Sequence, residues 1–359
     1  MAIDEKNMEV TGKMVDRVVT VEMRWGGRGD RGAIVQLYDY ASQKIYGGKS
    51  ISLLAAQKLI DTVKPGDNVF LVTGFASLPN MPYGEDDGPL GIASLARAVK
   101  IGLNATPIII TGERDIEALR KTVEAAEVMI LDHELAKATR VASGSSIAFP
   151  AYGKEGKEES RKFAAKIIKE YKPTAAISVE TVGPNRAGVK HFGAGYDAEA
   201  SDKLPGVEYI FTEASAKGIL TIGMMDGGNE VGSGTMEAGV RQFTPWADVC
   251  RCPCGQGTAC AIKTDIIYPA AVSNWGAYGV TAMVAYLLGN ADILQDTIIE
   301  HRMLEACANA GGVDGVYGRA RMSVDGIEYF TGEAMLTMLH GVIRSALKGA
   351  KIEGFGGKK

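Results

Sequence analysis

Acidic side chains gather in this chain where a strand should hand over to a helix. The stretch 224–234 reads MMDGGNEVGSG and follows the apolar run GILTIG. A turn ordinarily needs one or two glycine or Asx residues; here Asp226, Asn229 and Glu230 sit among glycines. The same character recurs. NVFLVTG precedes FASLPNMPYGEDDGP, with Glu85, Asp86 and Asp87; AAISVE ends on Glu180 and precedes TVGPNRAGVKHFGAGYD; a strand region near 262–272 precedes VSNWGAYG, with Ser273 and Asn274, and Asp265 lies just before this fourth loop. Carboxylates on one rim repel unless a hard cation, a basic substrate group or a shared proton compensates them. Such an oxygen-rich donor set suits magnesium or manganese. Taken singly, each acid is a solvated loop residue or a cap, as Asp226 or Asn229 would be for a helix starting near Glu230. Recurrence at corresponding strand ends argues for a joint role.

Other motifs exclude more than they assign. The four histidines, His133, His191, His301 and His340, form no zinc-type pair, which argues against a zinc–histidine hydrolase. GGNEVGSG lacks dinucleotide spacing, and YGGKS lacks the leading glycine of a phosphate loop. Cys250, Cys252, Cys254 and Cys260 fall within CRCPCGQGTAC. In an extended strand the first three would share one face. Small buried thiols are the plainest reading, with a thiolate metal site or a redox role as alternatives.

The elements that must position these residues alternate. Strands are expected at NVFLVTGF, ATPIIITG, VMILD, SIAFPAY, TAAISVE, VEYIF, GILTIG and ADVCRC, with an opening strand at DRVVTVEM. Helical spacing is read in AIVQLYDYASQKIY, SISLLAAQKLIDTV (capped by Ser50), PLGIASLARAVKIGL, ERDIEALRKTVEAAE and KEESRKFAAKIIKEY, then near 275–288, 292–309 and 331–347. The fold class expected is α/β: a mostly parallel or mixed sheet covered by helices on both faces, in a single large domain. The expected boundaries are an N-terminal extension at 1–32, a catalytic domain at 33–348 and a tail at 349–359. In such sheets ligands bind outside the carboxyl ends of the strands.

A net charge of −4 without a basic stripe argues against nucleic acid as a partner. Residues 266–291 carry no charge and would be long enough to span a bilayer. Pro269, Ser273, Asn274 and the glycines there favour a strand end, a loop and a buried helix, so no membrane partner is expected. The charged opening residues and the clustered cysteines point to a reducing cytoplasm. The small residues near 275–288 suit a core or a subunit interface, which leaves a homo-oligomer open.

TGF, GEDDGPLGIASLARAVKIG, ITGE, ISVETVGPNRAG, MDGGNEVGSG and AVSNWGAYG together resemble the D-glutamate cyclase-like C-terminal domain family, over roughly residues 30–345 and in the family's order. The resemblance implies a metal-containing α/β fold and a lyase that converts D-glutamate to 5-oxo-D-proline with loss of water. By the resemblance, Glu85 and Asp87 match acids of the first loop, where the family usually has Thr at the position of Asp86. Glu180 ends the second strand, and Asp226, Asn229 and Glu230 form the central motif. Ser273 and Asn274 match the fourth. The roles implied are metal ligation by Asp226, Glu230 and Asp87, with manganese or magnesium as cofactor. Glu85, Asp87, Glu180 and Glu230 would be catalytic. Asn229, Ser273, Asn274 and Arg186, or Lys190 in its place, would bind a small-molecule substrate. The basic residue of the second loop and the rich cysteine cluster depart from the family pattern. They leave two alternatives: a hydrolase opening a small lactam, imide or cyclic ureide, and a binding protein without turnover.

Overall fold

A computed structural model describes residues 5–23, 32–138, 145–149, 157–198, 204 and 206–348. Helices α1 (Glu5–Val19), α2 (Ala33–Tyr40) and α3 (Ile51–Thr62) come first. Strand β1 (Asn68–Val72) then leads through an acidic loop to α4 (Asp87–Arg97). There follow β2 (Thr106–Ile110), α5 (Ile116–Ala125), β3 (Met129–Ile130), α6 (His133–Ala138), β4 (Ser145–Phe149), α7 (Lys157–Tyr171) and β5 (Ala175–Val179). Next come α8 (Tyr209–Ala216), β6 (Leu220–Met225), α9 (Glu237–Phe243), β7 (Ile266–Pro269), α10 (Ser273–Leu287) and α11 (Thr297–Asn309). The hairpin β8 (Ser323–Val324) and β9 (Ile327–Glu328) precedes α12 (Tyr329–Lys348).

Among the described residues the main sheet has seven strands in the order β3-β4-β2-β1-β5-β6-β7, and every pairing in it is parallel. The central strands are buried throughout, so they read as continuous apolar runs rather than alternating ones. Their side chains still divide by parity. Val69 and Leu71 of β1, with Ala175, Ile177 and Val179 of β5, enter the larger core, shared with α1, α3, α4 and α10. Phe70 and Val72, with Ile108 and Ile110 of β2, meet α7 and α8 on the other face. Helices on both faces and a parallel sheet confirm the α/β expectation.

Four local expectations differ from the structure. DRVV lies in α1, not in a strand, because Thr11, Val15 and Val18 at helical spacing form its buried face. VEYIF does not form a strand; Tyr209, Ile210, Phe211 and Ala214 are buried on α8, where packing on α7 overrides β propensity. ADVCRC forms bends between two turns rather than a strand. The helix expected near Glu230 begins only at Glu237, after a short 3₁₀ turn. Of SIAFPAY, residues 146–149 lie in β4 and the remainder lies outside the described residues, as do 1–4, 24–31 and the tail 349–359. The uncharged stretch 266–291 is β7, a short loop and the buried α10. No helix among the described residues is long and apolar enough to cross a membrane.

Candidate metal centre and cleft

β1 and β5 are neighbours, but the chain leaves them in opposite directions, to β2 on one side and β6 on the other. This is the topological switch point, where loops diverge and a crevice opens. Glycine lets α4 press against it. A Cβ at Gly88 would sit 2.1 Å from Thr73 Oγ1, and one at Gly91 would sit 2.6 Å from Val179 Cγ1. Asp87 therefore starts α4 beside the end of β5. There Glu180 has φ +43°, a left-handed conformation that a side chain with a Cβ adopts only when its surroundings demand it. Asp226 stands directly after β6.

Carboxylate oxygens of Asp87, Glu180 and Asp226 all lie within 4.8 Å of one another, and all three residues are buried. Ser273 holds two of them: its N–H donates to Asp226 Oδ2 (3.2 Å) and its hydroxyl to Glu180 Oε2 (2.7 Å). Asp87 Oδ1 accepts from the Gly88 N–H at 2.7 Å, while Asp87 Oδ2 is buried with no hydrogen-bond partner. Burial first, then the charges of Glu180, Glu85, Asp325 and Asp226, push the Asp87 carboxyl well above the ordinary range. Burial and the charges of Asp314, Glu85 and Asp325 do the same to Asp86, whose two oxygens are both buried without a partner. A hard divalent cation supplies what this arrangement lacks. The donors are all oxygen, they converge, and one is orphaned, so the residues fit magnesium or manganese.

Beside the three carboxylates lies a cleft of about 590 Å³, lined by Glu85, Glu180 and Asn229 and by the aromatic side chains Phe75, Phe192, Tyr196 and Tyr317. Phe75 and Phe192 pack edge to face at 5.2 Å. One side is closed by the segment after α11. The Val313 N–H donates to the Gly84 carbonyl (3.1 Å), and the Asp86 N–H donates to the Val313 carbonyl (3.1 Å). Asp314 shapes this segment, accepting from the N–H groups of Val316, Tyr317 and Gly326 and from the Ser323 hydroxyl. Gly315 abuts the Glu85 carboxylate, so that a side chain there would have to displace it. Sequence reasoning missed this segment because it follows a helix. Its signal was GGVDGVYG, the same mixture of acid and glycine seen at the strand ends.

The expected site residues divide into those gathered at the centre and those placed elsewhere. Glu230 is anchored in its own loop. Its Oε1 accepts from the N–H groups of Asp226 (2.9 Å) and Gly227 (2.7 Å), and its Oε2 from that of Gly228 (2.6 Å). It shapes the turn that carries Asp226 and stands outside the converging three. Asn229 Nδ2 donates to the His191 carbonyl (2.9 Å), and its buried Oδ1 is unpartnered beside the cleft. Asn274 donates to Tyr278 Oη (3.2 Å) and lines a separate small cavity with Trp275 and Glu300. Ser273 serves the carboxylates. Arg186 is exposed and paired with Glu237 (2.8 Å), and Lys190 is buried against Glu208 (2.9 Å). Among the described residues, no lysine or arginine lines the cleft. Neither Arg186 nor Lys190, the partners expected for an α-carboxylate, lines the cleft.

Residues 40–340 match the family described as D-glutamate cyclase-like, C-terminal. Mitochondrial D-glutamate cyclase of Homo sapiens is 26% identical over 289 residues, covering 73% of this chain and 43% of that protein. The chain thus spans less than half the length of that curated relative. With the match running through every loop of the site, the chain belongs to the D-glutamate cyclase-like C-terminal family.

Proposed function

We propose that the chain is a metal-dependent lyase that cyclises D-glutamate, or a close analogue, to a five-membered lactam and water. The observation that carries this reading is the convergence of Asp87, Glu180 and Asp226 at the switch point beside a cleft, in a chain of this family. These three residues would hold the cation. When bound, a manganese or magnesium ion neutralises a substrate carboxylate and makes it electrophilic.

The remaining work falls to the chain itself. Glu85 lines the cleft and takes a proton from the substrate ammonium, leaving a nucleophilic amine. Asn229 Oδ1, which lacks a partner, accepts a hydrogen bond from that amine and turns its lone pair toward the distal carboxyl carbon. The C–N bond forms and a C–O bond breaks. Two protons leave nitrogen and both end on the departing oxygen as water, so Glu85 finishes in its starting state. Phe75, Phe192, Tyr196 and Tyr317 hold the substrate folded and limit bulk water, which favours ring closure.

The test is incubation of the chain with D-glutamate and Mn²⁺ or Mg²⁺, with 5-oxo-D-proline separated by chiral chromatography. Product that vanishes with chelator or with Asp226→Asn is expected. Absence of lactam with either metal overturns the cyclase reading. One observation favours a second reading. A cleft lined by acids and, among the described residues, by no lysine or arginine suits a substrate with fewer negative charges than glutamate. Lactams, cyclic imides and cyclic ureides meet that condition. The same assay run on them, scored for ring opening, separates the two.

A further inference from the structure

The cysteines that follow α9 do not lie on a strand face. They fold back through turns onto the loop after β5, where His191 completes a cluster with Cys250, Cys252 and Cys254. One ligand atom from each lies within 4.8 Å of the others. His191 Nε2 is 3.2 Å from Cys252 Sγ and 3.6 Å from Cys254 Sγ; Cys250 Sγ is 3.4 Å from Cys252 Sγ and 3.3 Å from Cys254 Sγ. A tetrahedral zinc with bonds of about 2.0–2.3 Å has ligand–ligand edges of about 3.5–3.8 Å, so small side-chain adjustments would seat the ion.

The surroundings are arranged for ligation. His191 Nδ1 donates to the Val189 carbonyl at 3.1 Å, which leaves Nε2 as a lone pair facing the sulfurs. Asn185 Nδ2 donates to Cys254 Sγ (3.4 Å) and to the Gly257 carbonyl (2.7 Å). Asn185 Oδ1 accepts from the N–H groups of Ala187 and Val189. The fourth cysteine of the motif, Cys260, is buried away from the group and accepts from the Ile262 N–H. The imidazole comes from 59 residues before Cys250, which is why spacing alone hid the site.

We propose that His191, Cys250, Cys252 and Cys254 form a second metal site that takes zinc, distinct from the oxygen site and independent of the catalytic reading. Three thiolates and one neutral imidazole fill all four positions, so the site is structural. The ion displaces the three thiol protons and leaves a complex of net charge −1, with no change of oxidation state. Its effect is to tie the Cys250–Cys254 turn to the loop that carries Phe192 and Tyr196, one wall of the cleft. The His191 carbonyl passes the same restraint to Asn229.

Titration of Co²⁺ into the metal-stripped, reduced full chain tests this. A thiolate-to-cobalt charge-transfer band with tetrahedral d–d bands, saturating near one equivalent and bleached by Zn²⁺, is expected. Asp226→Asn should leave the band unchanged. Asn185→Ala should weaken binding by about tenfold, and Cys252→Ser should abolish the band. The wild-type titration stands alone should Cys252→Ser fail to fold. Free thiols that give no charge-transfer band overturn the proposal. So does a charge-transfer band that depends on Asp226, a disulfide among the three cysteines in freshly purified protein, or iron accompanied by acid-labile sulfide.

Discussion

Asp16 and Asp87 are both buried aspartates, and they lead opposite lives. Asp16, on α1, takes four donors: the N–H groups of Ile51 (3.0 Å) and Ser52 (3.1 Å) and the hydroxyls of Tyr38 (2.5 Å) and Tyr268 (2.6 Å). Burial and the Asp16 charge push both tyrosines up, which keeps them protonated as donors. Asp87 has one donor on Oδ1, none on Oδ2, and other carboxylates around it. A buried charge whose lone pairs are filled by the fold is structural; one left short of donors among like charges awaits a ligand. Glu230 belongs with Asp16, satisfied by three backbone amides, although it sits four residues from Asp226.

The sharpest break of this comparison is at the converging acids. Asp226→Asn and Asp87→Asn should each lower turnover at least about 10³-fold, or about 4 kcal/mol of barrier, in steady-state assays. In metal-free protein the same changes should leave the denaturation midpoint unchanged or raise it, because they relieve buried like-charge repulsion. At Asp16 the pattern should reverse. Asp16→Ala strands two tyrosine hydroxyls and two helix-start amides, and should cost about 3–5 kcal/mol in urea denaturation. Metal affinity per folded molecule should stay the same.

Glu230→Gln should fall between these. One oxygen becomes an amide that cannot accept, so a buried N–H loses its partner at a cost of about 1–3 kcal/mol. Bound manganese should remain, as read by elemental analysis; loss of manganese would make Glu230 a ligand after all. The smallest effect concerns pH. Burial holds the Glu300 carboxyl up at about 7, against the downward pull of hydrogen bonds from Tyr278 and Gln295. The unfolded chain releases that proton near 4.5, so between these values the folded state binds more protons and loses stability as pH rises. Measured against Glu300→Gln, wild type should lose about 1 kcal/mol per pH unit between roughly 5 and 7, and the gap should be constant above that window.

Much of this was legible before any coordinates. The apolar strands and their spacing pointed to the parallel sheet. Acids at strand ends marked one rim of Glu85, Asp86, Asp87, Glu180, Asp226 and Glu230 without singling out the three that converge, with Glu180 read as catalytic and Glu230 as a ligand, because local periodicity and turn chemistry report only on nearby residues. What stayed hidden depends on distance along the chain. Nothing local separates Glu230 from Asp226; only backbone amides meeting one carboxylate reveal the anchor. Arg186 and Lys190 looked suited to an anion until Glu237 and Glu208 claimed them. His191 meets the cysteines, and Val313–Gly326 meets the first loop, through tertiary contacts that no spacing encodes. DRVV and VEYIF misled because β-branched and aromatic residues also fill a helix face that packs well.

The central claim is that Asp87, Glu180 and Asp226 together hold one hard cation. Calorimetric titration of Mn²⁺ into chelator-treated protein tests it most directly, with wild type, Asp226→Asn and Glu230→Gln run side by side. The account predicts one site in wild type and in Glu230→Gln, and its loss in Asp226→Asn. Binding that survives Asp226→Asn, or no binding in folded wild type, would contradict it.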